Sequence, residues 1–529
     1  MIDDPGTHPE PHDRMSLDRD SGEVDVGQIV DGQDTVPTAP RSVARNAVAL
    51  LLSQSFTWVL ATIVTSIQPR FLGPVGQGQL RLAISVWTIV EMLATFGTST
   101  MLQVEVARHP STSLSLSRSV VRLRLVCVAI VTPFVAVFLW LAGYGRTTLI
   151  VMFLAGVATL FSLAATNYRS VLYGLREMGR TSKNDVFLKL LVTIVTITIL
   201  VLGGGVTELS VAGIGLMAVS LYLIRRSFVR AMPVQQTDSA LRGRALVQAS
   251  APFLIADASL IIYLQIDTIV ISLLVGSQEI GYYATADTLF GSILFVPVIL
   301  MTALFPAIAE LHTRDPDEVK RMLVRTYRSL LIFAVPAGIG TIVVAKSFVR
   351  ILYGSKFAKS VPVLEIYGIV TIFEFITILL GRFAQATGRT RFWNILMVIS
   401  IVISIPLDVV LVPWADRHFQ NGAIGGPLAY VVTELFMLIT GTIYLADGLW
   451  THATLRRVLR CTVAGAAMFA VGWPLRDHFF LVPGTAALIT YIVVMSVGGK
   501  LEPDEQYQLD RLRARIMSKR SKRKSVEAT

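Results

Sequence analysis

Seven charged side chains stand inside apolar stretches long enough to cross a membrane: Glu91, Asp257, Asp267, Glu374, Arg382, Asp408 and Glu434. A charge at bilayer depth is expensive, so each needs a partner on another helix, a water-filled cavity, or a place near the interface. Asp267 shares a helix face with Tyr263, four residues earlier. Asp257 lies ten residues before Asp267, about 80° away around an ideal helix, so both can face one lumen. A buried interhelical hydrogen bond that fixes packing is the competing role for both. Glu374 and Arg382 stand eight apart, about 12 Å along a helix axis and about 80° around it. That spacing is too wide for an intrahelical bridge. Thr377 is the nearest polar neighbour of Glu374, which is expected to pair across helices, while Arg382 sits near a span end and suits snorkelling.

Other chemistry finds little support. Asp315-Pro316-Asp317 has the form of a metal-holding Asp-x-Asp, but a helix start explains it better. Asp315 suits an N-cap, Pro316 the first helical position, and Glu318 completes a capping box. There is no Walker A loop, and the seven histidines show no ligand-like spacing. Cys127 and Cys461 both lie in apolar stretches and read as small buried side chains. The chain is therefore expected not to be an enzyme and to hold no cofactor or metal.

These charges must be positioned by membrane helices. The chain has 529 residues, of which 53% are hydrophobic and 16% charged, against about 25% charged in a soluble domain. Hydropathy predicts fourteen spans, near 42–66, 78–100, 120–142, 148–171, 183–204, 207–228, 247–275, 281–305, 326–346, 361–383, 391–413, 422–446, 455–474 and 477–497. With the N-terminus cytoplasmic, the inner loops hold 24 Lys and Arg against 9 outside. The exception is the outer loop 346–359, with Lys346, Arg350, Lys356 and Lys359. The net charge of +11 is thus mostly topological.

The tails are read separately. Residues 1–40 carry ten acidic residues and two arginines and are expected to be a disordered tail. They lack the basic start and apolar core of a signal peptide. The basic tail 499–529 suits attraction to anionic lipid on the cytoplasmic leaflet, and no nucleic acid is expected as a partner.

A near-repeat organises the spans. Gly73-Pro-Val-Gly-Gln-Gly78 is echoed by Gly276-Ser-Gln-Glu-Ile-Gly281, and Gly179-Arg180-Thr181 by Gly388-Arg389-Thr390. The fold expected is an all-α polytopic membrane protein of two pseudo-symmetric six-helix lobes, 41–230 and 247–450, joined by a cytoplasmic linker over 231–246. Two further spans, 451–498, follow the repeat.

Within this frame several segments resemble the polysaccharide and O-antigen flippases of the multidrug/oligosaccharidyl-lipid/polysaccharide exporter superfamily. They are Leu264-Gln-Ile-Asp267, Ile280-Gly281-Tyr282-Tyr283, Leu304-Phe-Pro306, Ile351-Leu-Tyr-Gly354 with Val361-Pro-Val-Leu364, and Gln385-Ala-Thr-Gly388-Arg-Thr-Arg391. The resemblance covers roughly 42–450. Drug/cation antiporters of the superfamily carry an acidic residue in the first span, and residues 46–66 have none. The basic, Ser-rich signature of lipid II flippases is not clear in 61–83.

The resemblance implies translocation of a lipid-linked oligosaccharide or polysaccharide precursor across the cytoplasmic membrane by alternating access. The partner implied is a polyprenyl-(pyro)phosphate-linked saccharide, with membrane lipids around it and a polymerase or synthesis complex beside it. Its phosphate calls for cations in a low-dielectric lumen, and Arg70, Arg81, Arg122 and Arg124 are the candidates. Topology alone explains Arg122, and snorkelling explains Arg81. A cation-coupled drug exporter would instead use Asp267 or Glu91 for coupling. A non-transporting scaffold would fill the lumen with apolar side chains.

Overall fold

The computed structural model describes residues 40–233, 237, 241, 243–446 and 448–497. The acidic segment 1–39, most of the linker between 234 and 242, and the basic segment from 498 lie outside the described residues. Met1–Leu51 form one unit, in which residues 40–51 are helical; Leu52–Thr529 form the other, to which everything below belongs.

Among the described residues there are fifteen α-helices and no strand. The helices are α1 (Pro40–Thr95), α2 (Thr98–Arg108), α3 (Ser113–Ala142), α4 (Arg146–Gly174), α5 (Met178–Val201), α6 (Val206–Ala231), α7 (Gly243–Leu274), α8 (Ser277–Ile293), α9 (Phe295–Arg314), α10 (Pro316–Tyr353), α11 (Ser360–Ala386), α12 (Thr390–Phe419), α13 (Gly425–Leu445), α14 (His452–Gly472) and α15 (Leu481–Val497). The cause is the solvent: lipid offers no partner to a backbone amide, so each spanning segment must close its own hydrogen bonds. The same rule governs the hydroxyls. Thr132, Thr193, Thr302 and Thr341 each donate to the carbonyl four residues earlier, at 2.7–2.8 Å.

Helix occupies every one of the fourteen predicted intervals, but the number of spans differs. Eleven helical segments are long and apolar enough to cross a membrane, and twelve if Leu60–Thr95 and Thr98–Arg108, bent by 42°, make one span. Two causes account for the difference. The first two predicted spans lie in α1, two helical stretches joined through the non-helical Gly73 (φ 67°, ψ 176°), of which the part from Leu60 onward counts with α2 as one bent span. The last helix, Leu481–Val497, has only 17 residues.

The N-cap at α10 forms as the sequence predicts, but its capping box does not close. The Asp315 carboxylate accepts from the Glu318 amide at 3.0 Å, and Pro316 opens the helix. Glu318 does not reach back; its carboxylate takes Arg321 at 2.7 Å and Arg325 at 3.4 Å. Replacing Asp315 by Ala is expected to cost about 1 kcal/mol, seen as a lower thermal midpoint.

Helices α2, α3, α4 and α6 pack around a core that includes Leu102, Leu116, Leu172 and Ile224, joined by Leu246 at the start of α7. Helices α9 to α13 share a larger one around Leu330, Phe375, Leu379 and Trp393. Helices α10 and α11 pack closely: the carbonyl of Gly368 approaches the Gly338 Cα so nearly that a Cβ there would lie 2.3 Å from it. The two helices outside the repeat, α14 and α15, lie on α10: Tyr491 donates to the Ile332 carbonyl at 3.0 Å, and Arg328 to Thr451 and Thr454 at 2.8 and 2.9 Å. A third cluster joins the first half to the second through Leu82, Val86 and Met152 on one side and Ile271, Tyr283 and Phe290 on the other.

Candidate functional site

The two copies of the glycine repeat meet. A Cβ on Gly78 would sit 1.8 Å from the Ser277 carbonyl oxygen, and one on Gly281 would sit 1.9 Å from the Pro74 carbonyl oxygen. Gly73 with Pro74 and Gly276 with Ser277 are equivalent positions of the repeat, so the contact is reciprocal, as a two-fold-related pair makes it. In each copy the first glycine stands at a bend and the second lets the backbones touch. The second sequence pair is less alike. Gly388 takes a positive φ of 73° before α12, whereas Gly179 lies inside α5 and Arg176, with φ 60°, makes the left-handed turn.

Polar contacts flank the glycine junction. Arg81 pairs with Asp287 at 2.7 Å, and Ser85 donates to Gln265 at 2.8 Å. Arg70 donates to the carbonyls of Leu352, at 2.6 Å, and Ile351, at the C-terminal end of α10. These contacts, with the Tyr144–Ser272 hydroxyl pair at 2.7 Å, tie the first half to the second.

Between the halves there is also a cavity of about 550 Å³. Its walls are Thr57, Thr62 and Thr65 on α1, Asp185 and Lys189 on α5, and Thr288 and Ser292 on α8. The hydroxyls of Thr65, Thr288 and Ser292 donate to their own helix carbonyls at 2.9, 2.8 and 2.9 Å. Their oxygen lone pairs therefore remain as acceptors. Asp185 is held by Arg169 at 2.9 Å, while the half-buried Lys189 amine makes no ion pair with any described residue. Such a wall can accept hydrogen bonds from a polyhydroxyl compound and place one cation against an anionic group.

The predicted intramembrane carboxyls fall into three places. Glu434, 1% exposed, takes hydrogen bonds from Tyr263 and, at 2.7 Å, from Thr377; beside it Glu374 accepts from Tyr430 at 3.1 Å. Asp267 on α7 is buried against Asp408 on α12 and accepts from Ser404 at 3.2 Å. Neither oxygen of the fully buried Asp408 receives a hydrogen from a described donor. Glu91, in the first half, accepts from Ser162 at 3.0 Å and Thr166 at 3.3 Å. It opens on a separate cavity of about 390 Å³ with Trp87, Thr196 and Met217. Asp257 is half-buried, and Arg382 is exposed with Gln385 at 3.1 Å.

None of the four arginines proposed as head-group contacts lines the cavity between the halves. Arg70 and Arg81 bind protein groups, Arg122 is exposed, and Arg124 is buried in the first half. Its guanidinium donates to Thr98 at 3.0 Å, Ser99 at 2.9 Å and the Leu163 carbonyl at 2.9 Å. Lys189 and its hydroxyl neighbours were not singled out in the sequence. The available signal was a lysine six residues into the span 183–204, followed by Thr193, Thr196 and Thr198.

Comparison with known proteins places this geometry in a family. Residues 43–312 match the family model described as polysaccharide biosynthesis protein, and residues 252–410 match MatE. The "Probable low-salt glycan biosynthesis flippase Agl15" of Haloferax volcanii is 20% identical over 438 residues, covering 81% of this chain and 89% of its own. The "Lipopolysaccharide biosynthesis protein WzxC" of Escherichia coli is 26% identical over 191 residues, 34% of this chain and 36% of its own. In fold, the solved structure titled "Lipid II flippase MurJ, inward closed conformation" matches with a TM-score of 0.64 and 16% identity, over 85% of this chain and 98% of that one. With more than half of its length under one family model, this multi-pass membrane protein belongs to the polysaccharide biosynthesis protein family.

Proposed function

We propose that this protein is a flippase that moves a lipid-linked oligosaccharide or polysaccharide precursor across the cytoplasmic membrane. The observation that carries the reading is the hydroxyl-lined cavity between the halves, with Lys189 in its wall, in a chain whose relatives are named flippases. Threonine and serine oxygens on α1 and α8 would accept hydrogen bonds from the sugar, while Lys189 faces the phosphate of a polyprenyl carrier. The carrier's apolar tail stays in lipid. The Gly78–Gly281 contact closes one end, and rocking the halves about the cavity exposes the head group to each side in turn. The positive-inside bias favours both termini on the cytoplasmic side. A polymer synthesis complex would supply and consume the lipid-linked precursor.

The test is a translocation assay in proteoliposomes with a fluorescent polyprenyl-pyrophosphate saccharide, read by its exposure to a membrane-impermeant quencher. Wild-type protein is expected to move the lipid faster than protein-free vesicles do. Lys189→Gln is expected to slow translocation by about tenfold and Lys189→Arg far less, because one charge-assisted contact is lost in the first and kept in the second. Wild-type translocation no faster than in empty vesicles would overturn the reading.

A further inference from the structure

The cations that break the positive-inside pattern, Lys346, Arg350, Lys356 and Lys359, do not serve the cavity between the halves. Lys359 is used locally: it lies 3.6 Å from Glu279 and donates to the Gln420 carbonyl. Lys346 and Arg350 instead line a separate cavity of about 410 Å³ with Arg476, Ser355, Gly354 and Glu365. Its walls are the last turns of α10, the first turns of α11 and the turn between α14 and α15.

The charges there are unequally spent. Lys346 is bonded to Asp477 on the rim, and Glu365 is the one carboxylate in the lining. The Arg350 guanidinium makes no ion pair or hydrogen bond with any described residue. The Arg476 guanidinium lies 3.8 Å from the Trp473 ring centroid, which fixes its plane while its N–H groups stay unbonded among the described residues. Two forked donors converge on one cavity beside the positive end of α11. The surroundings are those of a headgroup layer. Trp473 stacks on Phe469, Phe480 packs on Phe348 and Phe479, and exposed Phe479, Leu481 and Val482 follow Arg476 in the chain as an apolar surface for acyl chains.

We propose that this pocket binds the phosphate of an anionic headgroup, held by Arg350 and Arg476, on the flank where the last two helices pack against α10. It lies apart from the cavity between the halves, so it does not rest on the translocation reading, and either can fail alone. The phosphate can come from a membrane phospholipid or from free inorganic phosphate.

The test is binding to the purified full-length protein, with dioctanoyl-phosphatidylglycerol, dioctanoyl-phosphatidylcholine and inorganic phosphate as probes. The protein forms are wild type, Arg350→Gln/Arg476→Gln and Arg350→Lys/Arg476→Lys. Saturable binding of phosphatidylglycerol, weakened about tenfold or more in the Gln double variant and partly restored in the Lys variant, is the expected result. Competition by inorganic phosphate at equal concentration would assign the site to free phosphate; its failure to compete would assign it to phospholipid. Either outcome supports a phosphate site. Equal phosphatidylglycerol affinity in wild type and a Gln variant with unchanged thermal midpoint would overturn it, as would equal affinity for phosphatidylcholine.

Discussion

Arg124→Ala is expected to remove most of the folded protein, and not to yield a well-folded protein that fails to translocate. Arg124 is 3% exposed, and its three hydrogen bonds tie α3 to Thr98 and Ser99 on α2 and to the Leu163 carbonyl on α4. Glu91 is close enough to interact with its charge. Truncation removes all three interhelical hydrogen bonds and takes from Glu91 its neighbouring cation. Losing a hydrogen bond to a charged group costs about 1.5–3 kcal/mol, and three are lost here. Hydrogen bonds between membrane helices average nearer 0.6 kcal/mol, which pulls the expectation for the three together down to about 3 kcal/mol. Even so, about 3 kcal/mol is a large share of a total stability of about 5–15 kcal/mol. Arg124→Lys should fall between, since one ammonium cannot reach three partners set around a planar fork. The monodisperse fraction after detergent extraction and the thermal midpoint measure this directly. Full yield and midpoint with lost translocation would instead return Arg124 to the head-group role the sequence suggested for it.

Where a segment carries its own physical cause, the sequence and the structure agree. Long apolar runs must be helical in lipid, and helix makes up most of each interval that hydropathy marked. Asp315 followed by Pro316 had to cap a helix because both residues act locally. Counting spans is different, because it depends on whether a bend separates two helices or only tilts one. Gly73 and Pro74 mark the kink in the sequence, and the non-helical Gly73 separates two helical stretches of α1, but nothing local says whether they cross as two spans or one.

The carboxyls follow the same division. That Glu434 and Asp408 need partners is a matter of cost and is visible in one dimension. Which partners they take depends on chain segments far apart: Tyr263 stands 171 residues from Glu434, and Ser404 stands 137 from Asp267. Lys189 escaped notice for a related reason. Its charge matters only because Thr62 and Thr288, from two distant helices, share its cavity. The pairing of Arg81 with Asp287 was closer to legible. Once Gly78 and Gly281 are taken as faces that touch, and not only as punctuation, Arg81, one turn past Gly78, and Asp287, nearly two turns past Gly281, fall within reach of each other.

Gly281→Val is expected to cut translocation by about tenfold or more while leaving membrane insertion intact. The contact it disrupts is backbone on backbone: a Cβ at 281 would stand 1.9 Å from the Pro74 carbonyl oxygen, and no side-chain rotation relieves that. The valine therefore forces the two turns apart. Overpacking a close contact typically costs about 1–3 kcal/mol, and each 1.4 kcal/mol shifts a two-state balance about tenfold. The cost falls only on the state in which the turns touch, so the protein is pushed toward the state open at that end. The flank contacts, Arg81 with Asp287 and Ser85 with Gln265, resist the separation but lie on side chains that can follow it. Gly78→Val should act alike, because the Ser277 oxygen stands 1.8 Å from its Cβ position. The two together should cost less than the sum, since the first already separates the turns. A cysteine placed at Ser277, with Cys127 and Cys461 replaced, reports the opening through a membrane-impermeant maleimide. Faster labelling in Gly281→Val, alongside lost translocation, is the expected pair of results. Unchanged labelling with unchanged translocation would mean that these turns never seal an end of the transport path, and that the reciprocal glycine contact serves packing alone.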